Sequence, residues 1–330
     1  MKAKRVSLDD IAKALGVSKA TVSVVLNGRG DEFNISKKKQ VLIHEKAKEL
    51  QYVPNFFAKS LRQGETKTIG LVLADISNPF YAEMCKIIQE TLYSKGYKTF
   101  IVNTNDDKEL EKTLMRELIQ RSIDGMIISP CNTIDALIPI LHETHIPVVF
   151  SDRPGDENAD FVGIDNMKEA SLLIGKFKNT PKKILAISQH DASIQTISER
   201  LQGLNEASKK SGIELMHINL SSDRKEALAQ VKNELSNHVD AIISLNNMVA
   251  LVTLGILQEL KINVPNDVKL ISFDDHEVFS FMTPSVTALR QPVNKIAAFS
   301  VERMMERLQE SEVPGKHQLL ECEFIERGSH

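Results

Sequence analysis

From Thr68 onward the chain alternates short apolar runs with stretches of helical period, and this alternation constrains the fold more than any other feature. A first series runs IGLVLAD, a helix from about Phe80 to Lys95, TFIVNT, a helix around Glu109 to Arg121, then GMIISP and IPVVFSD. A second runs KILAIS, a helix near Thr196 to Ser211, ELMHINL, a helix from Asp223 to Asn237, AIISLN, a helix at Met248 to Leu260, then VKLISFDD. Apolar strands that alternate with helices form parallel sheets covered by helices on both faces. Two such series predict two doubly wound halves of like design facing each other across a cleft. Ligands of such sheets bind outside the carboxyl ends of the strands.

The first part of the chain follows a different pattern. In SLDDIAKALGVSKATVSVVLN, Ser7 to Asn27, Ser7 is placed to cap a helix with Asp10 three residues on, and Gly16 ends it. Ser18 then caps a second helix. At 100° per residue Thr21, Val22, Val25 and Leu26 share a core face, while Lys19, Ala20, Ser23, Val24 and Asn27 share the other. Short side chains on an outward face suit the floor of a DNA major groove. The wheel alone fits an ordinary pair of amphipathic helices equally well. After the Gly-rich loop GRGDEFNI, Ser36 is expected to cap a third helix whose first turn is Lys37, Lys38 and Lys39. Three cations there oppose the helix dipole, at about 0.3–1 kcal/mol each, unless a phosphate backbone lies against them. A solvated lysine run is the other reading.

These residues carry a resemblance. The pattern L-x-D-I-A-x-x-x-G-V-S-x-x-T-V-S-x-x-L-N resembles the N-terminal signature of the lactose/galactose-repressor (LacI/GalR) family of bacterial transcription factors. That resemblance implies an N-terminal all-α helix-turn-helix domain followed by an α/β periplasmic-binding-protein-like core of two doubly wound parallel-sheet subdomains. It implies a regulator that binds near-palindromic double-stranded operator DNA as a homodimer under the control of a small-molecule effector. Ser18, Lys19, Ala20, Thr21, Ser23, Val24 and Asn27 are the expected DNA contacts of the head, with Lys37, Lys38 and Lys39 on phosphates. The loop after Asn27 is about three residues longer than the family pattern. In YVPNFFAKSLRQGETKTIG, Pro54 stands at a helix start and Gly64 beyond a stop, leaving a helix too short to be stable alone. By resemblance it is a hinge helix that orders on the operator. Asn55 and Ala58 contact DNA, and Leu61 wedges into the minor groove. A plain linker is the alternative.

Charge separates along the same line. Residues 1–66 hold 13 Lys and Arg against 7 Asp and Glu, whereas 67–330 hold 28 against 37. A basic head on an acidic body is the footprint of a nucleic-acid-binding module joined to something that does not bind nucleic acid. The expected organisation is 1–53 as the DNA-binding domain, 54–66 as the hinge and 67–330 as the effector-binding and dimerisation core. Within that core, about 67–165 with 293–322 make one subdomain and about 166–291 with 323–330 the other. Cys85, Cys131 and Cys322 are odd in number and lack C-x-x-C spacing, which supports neither a disulfide framework nor a zinc site. With no apolar leader and no run long enough to span a bilayer, a cytoplasmic location away from membranes is expected.

Polar residues gather just after the predicted strands: Asp75, Ser77 and Asn78, then Asp152 and Arg153, Asp165, Asn246 and Asn247, and Asp274 and Asp275. With Arg200 they can bracket the hydroxyls of a sugar, and Phe80 and Tyr81 can supply an apolar face. Any one of them alone reads as a turn or cap residue. By resemblance, D-I-S-N-P-F, E-R-L-Q-G-L and S-F-D-D match family motifs, and Arg200 and Asp274 carry over as effector contacts. The crossing segments fall near Asp165, Gln291 and the last ten residues. The expected effector site is therefore Asn78, Phe80, Tyr81, Asp152, Arg153, Asp165, Arg200, Asn246, Asn247, Asp274 and Gln291, with the Asp274 carboxylate serving the cleft and not the fold. Asn247 departs from the family pattern, where aspartate is commoner, and Ile194 stands where purine-responsive members have arginine; the second departure argues against a purine and leaves a sugar or sugar derivative as the expected effector. No cofactor is expected. Neither a P-loop nor H-E-x-x-H nor G-x-S-x-G occurs, and the Asp274–Asp275 pair lacks a matched acid/base partner, so an enzyme is not expected. His142 and His145 beside Glu143 read as a surface pair rather than a metal site. A solute-binding protein without a DNA role is the alternative, disfavoured by the basic head.

Overall fold

The computed structural model describes residues 6–53, 64–131, 144–156, 158–189, 194–310 and 314–330. It divides into two compact units, residues 1–66 and 67–330.

The first unit packs α1 (Leu8–Leu15), α2 (Lys19–Leu26) and α3 (Lys37–Glu49) around Ile11, Ala12, Val22, Val25, Ile43 and Ala47. The Ser7 amide donates to Asp10 Oδ2 at 2.8 Å, and the Asp10 amide returns a bond to Ser7 Oγ, which closes the capping box. Gly16 ends α1 in the left-handed conformation at φ 63°, and Ser18 Oγ caps α2 by accepting from the Thr21 amide at 3.1 Å. Ser36 occupies the N-cap position of α3 but its side chain accepts no capping bond, contrary to expectation.

In the second unit, β1 (Thr68–Leu73), β2 (Lys98–Asn103), β3 (Gly125–Ile128), β4 (Val148–Ser151), β5 (Asp160–Ile164) and β11 (His317–Leu320) form one parallel sheet in the order β2-β1-β3-β4-β5-β11. β6 (Lys183–Ser188), β7 (Glu214–Asn219), β8 (Ala241–Ser244), β9 (Lys269–Phe273), β10 (Thr287–Arg290) and β12 (Glu323–Ile325) form the other in the order β7-β6-β8-β9-β10-β12. Only the β10–β12 pair is antiparallel. The central strands β1, β3 and β8 are buried along their whole length and β6 along all but its first residue, whereas the edge strand β2 is not. Helices α4 (Pro79–Ser94) and α5 (Lys108–Gln120) follow β1 and β2. Helices α7 (Gln195–Ser211), α8 (Arg224–Leu235) and α9 (Asn247–Glu259) follow β6, β7 and β8.

Three crossings join the halves. The chain leaves β5 for α6 (Asn166–Leu173), which packs on α7; it leaves β10 for α10 (Val293–Gln309), which packs on α4; and it passes from β11 to β12. Gly203 of α7 lets α6 approach closely, since a Cβ there would meet the Met167 carbonyl oxygen at 2.0 Å. Among the described residues no helix is long and apolar enough to cross a membrane.

Candidate functional site

The carboxyl ends of strands from both sheets open on one solvent-connected cavity. Asp75, Asn78, Phe80, Tyr81, Asp106, Asp152 and Arg153 line it from the first half; Ile194, Thr196, Ile197, Arg200, Asn246, Asp274 and Gln291 line it from the second. Nine of the expected effector residues thus meet in one place. Asp165 and Asn247 do not line the cavity. The Asp165 carboxylate caps α6 by accepting from the Lys168 amide at 2.9 Å, as a chain turning from a strand into a helix requires. Asn247 is buried and bridges the halves instead, donating from Nδ2 to Asn78 Oδ1 at 3.3 Å.

Arg200 is the hub of the second half. Its Nε donates to Asn166 Oδ1 at 2.8 Å, and its Nη1 to the Leu245 carbonyl at 2.7 Å and to Asp274 Oδ2 at 3.1 Å. The guanidinium lies 3.7 Å from the centroid of the Phe273 ring, so the aromatic face stabilises the same cation. Gln291 Nε2 donates to Asp274 Oδ1 at 2.7 Å. The Asp274 carboxylate is therefore a structural ion-pair partner as well as a cavity wall, which corrects the expectation that it serves the cleft alone. Asp275 points elsewhere, to Arg327 and Arg290.

Across the cavity, Tyr81 Oη donates to Asp152 Oδ2 at 2.7 Å. Arg153 pairs with Asp106 and donates to the Pro130 carbonyl at 3.1 Å. Burial pushes the Asp152 carboxyl above its ordinary range despite the neighbouring Arg153 and the Tyr81 hydrogen bond. Burial likewise raises the Tyr81 phenol, so it remains a donor at neutral pH. For Arg153 burial works downward, but the carboxylates of Asp106 and Asp152 beside it outweigh this and keep the guanidinium charged. Asp106, Asp152 and Asp274 all hold left-handed backbone, at φ 55°, 68° and 64°. Aspartate tolerates that region better than most residues, and strained backbone of this kind collects at binding sites. Among the described residues, Gln291 Oε1 and Arg153 Nε are buried without a hydrogen-bond partner.

Asp106, Thr196 and Ile197 were not among the expected site residues. Asp106 was legible by the rule that found the others, since it follows the strand TFIVNT. Thr196 and Ile197 stand four and three positions before Arg200 on the same helix, where neighbours share a face.

On the head, Ser18, Lys19, Ala20 and Asn27 are exposed, and Thr21, Ser23 and Val24 are half-buried. Lys19 Nζ donates to Asp9 Oδ2 at 2.8 Å, and Lys37 Nζ to Asp31 Oδ2 at 2.6 Å, so two of the expected DNA-contacting cations are engaged by carboxylates of the head itself. Lys38 and Lys39 are exposed. Asn55, Ala58 and Leu61, and also His142 and Glu143, lie outside the described residues.

Residues 7–55 match the model of bacterial regulatory proteins of the lacI family, and residues 66–305 match that of periplasmic binding proteins and the sugar binding domain of the LacI family. The chain belongs to the LacI family. The HTH-type transcriptional regulator RegA of Clostridium saccharobutylicum is 30% identical, with 98% of each chain covered. Two solved structures are also similar. One is the Lac repressor dimer bound to operator and the anti-inducer ONPF, at TM-score 0.83 and 21% identity over 99% of each chain. The other is a periplasmic binding protein/LacI transcriptional regulator of Alkaliphilus metalliredigens complexed with D-xylulofuranose, at TM-score 0.71 and 26% identity over 80% of this chain and 98% of that one. As a LacI-family member the chain is a DNA-binding transcriptional regulator and not an enzyme.

Proposed function

We propose that the protein is a repressor that binds a near-palindromic operator as a homodimer in the cytoplasm and responds to a sugar or sugar derivative held in the cleft of its core. The observation that carries this reading is the single cavity on which strand ends of both halves converge, with Asp152, Arg200 and Asp274 set into its walls. A ligand touching both halves favours one relative placement of them, and an effector can act only through such a difference in affinity between two states. The matched sugar binding domain and the D-xylulofuranose complex of the Alkaliphilus protein support a carbohydrate. For dimerisation, the edge strand β2 leaves Phe100 and Ile101 substantially exposed, and such apolar surface favours association. In the head, Ser18, Lys19, Ala20, Thr21, Ser23, Val24 and Asn27 read bases or fix the helix on DNA; Lys37, Lys38 and Lys39 meet phosphates; Asn55, Ala58 and Leu61 serve the hinge. The subdomain limits follow the three crossings.

A thermal-shift screen of the full-length protein against sugars tests the effector assignment. A ligand at 100 times its Kd stabilises its domain by about 2.7 kcal/mol, and the sugar that does so is expected to change operator affinity. A stabilising sugar without any effect on operator binding would refute its role as effector.

A further inference from the structure

We infer that α2 reads DNA through the 5-methyl groups of thymine, with Ala20 and Val24 as the residues that set base preference. This rests on the proposal that the head docks on DNA through α2, and it names what that helix reads. The core of the head takes Val22 and Val25 from α2, both buried, with Leu26 packed against it; among the described residues neither Ala20 nor Val24 belongs to that core. Ala20 is exposed and Val24 half-buried. Four positions apart, they lie one above the other on the outward face of the helix. A β-branched valine there costs helix propensity and gains nothing from the core in return, so its use is to be sought outside the fold of the head.

The polar side chains around this pair are engaged within the head. Ser18 Oγ accepts from the Thr21 amide and lies 2.8 Å from Thr21 Oγ1; Lys19 Nζ is held by Asp9; Asn27 Nδ2 donates to the Ser23 carbonyl at 2.6 Å. Reading guanine takes a guanidinium or ammonium, reading adenine a side-chain amide and reading cytosine a carboxylate. Helix α2, KATVSVVL, holds no arginine, no amide and no carboxylate, and its one ammonium is paired. What it offers freely is methyl groups. In the major groove only base pairs containing thymine present a methyl group, and small apolar side chains pack on it. The charge of the head makes the partner of this strip a duplex rather than a protein: residues 1–66 carry 13 Lys and Arg against 7 Asp and Glu, and Lys38 and Lys39 stand exposed at the start of α3.

The test measures the affinity of the full-length protein for a site selected from a random duplex pool, and for copies in which each thymine in turn is replaced by deoxyuridine, which removes the methyl group and keeps the pairing. Expected is at least one thymine in each half-site whose methyl loss weakens binding by about fourfold, the worth of one buried methyl-sized group. At that position 5-methylcytosine should bind more tightly than cytosine by a like factor. Val24→Ala, which spares the core and improves helix propensity, and Ala20→Ser are the paired variants, and at least one of them should erase the deoxyuridine effect. Affinity indifferent to deoxyuridine at every thymine, a selected half-site without thymine, or a deoxyuridine effect undiminished in both variants would overturn the inference and leave the DNA-binding head standing. A protein that selects no sequence from the pool would sink the docking through α2 and this inference together.

Discussion

Asp274 lines the cavity and holds the fold together at once. Its left-handed backbone presents the carboxylate to the cavity, and the same carboxylate neutralises a buried guanidinium. Asp274→Ala leaves Arg200 buried and unpaired, a loss of about 3–5 kcal/mol in core stability. Asp274→Asn, which tolerates the left-handed backbone and keeps an acceptor, should fold with a smaller loss yet lose the effector's thermal shift. If the Asn variant responds to effector like the wild type, Asp274 is not a contact. Asp160 is a pure structural counterpart. It is wholly buried between Arg303 and Arg307, with Oδ1 accepting from Arg303 Nη2 and Oδ2 from Arg307 Nε, both at 2.5 Å. Burial pushes its carboxyl up, but the Arg307 and Arg303 hydrogen bonds outweigh this and hold it below its ordinary range. A depressed folded pKa contributes stability present above the unfolded value, about 3.9, and lost as pH falls through the folded pKa. Urea unfolding of Asp160→Asn against wild type should therefore show a deficit of about 3–5 kcal/mol at pH 7 that narrows only below about pH 4. A deficit that shrinks between pH 8 and 5 would contradict this account.

At the scale of elements, the uniformly apolar central strands and the capped helices were legible because burial on both faces and cap chemistry are local properties. The predicted helix near Thr196 to Ser211 is Gln195–Ser211, and that of Asp223 to Asn237 is Arg224–Leu235. Helix α10 and strands β11 and β12 stood outside the two series; they follow the second and third crossings, and their packing partners lie far away in sequence. Asp165, which caps α6 and does not line the cavity, shows a related limit. A polar residue after a strand can face the cavity or cap the next helix, and only the path of the chain decides. The long loop after Asn27 now has a physical reading. Arg29 pairs with Glu32 and lies over Phe33, while Asp31 holds Lys37 and accepts from Gln40 Nε2 at 2.9 Å. Asp31→Asn should release Lys37 to phosphate, tightening DNA binding on all sequences and steepening the salt slope by about 1. An unchanged slope would show that Lys37 lies away from DNA. In the hinge, Leu61→Ala should weaken operator binding far more than binding to scrambled DNA at the same salt, because a wedge recovers its unstacking cost only where DNA bends. Equal losses on both would make the segment a tether.

The chain joins a basic helix-turn-helix unit to an acidic two-sheet unit, and each part was legible from a different signal: identities at fixed spacing for the head, alternation of strand and helix for the core. The cavity was legible as a set of strand-end residues, but not the division of labour within it. Which carboxylate pairs with which guanidinium depends on the approach of segments far apart in sequence, as for Asp106 and Arg153 or Arg200 and Asp274. The central claim is that two such heads act together on DNA. It is tested most directly by selecting binding sites from a random duplex pool with the purified full-length protein, then measuring the selected site's affinity at 50 and 200 mM salt. The account predicts a near-palindrome of two half-sites, with affinity falling by about 10³–10⁵ between the two salt concentrations. A lone asymmetric half-site, or an affinity indifferent to salt, would contradict it.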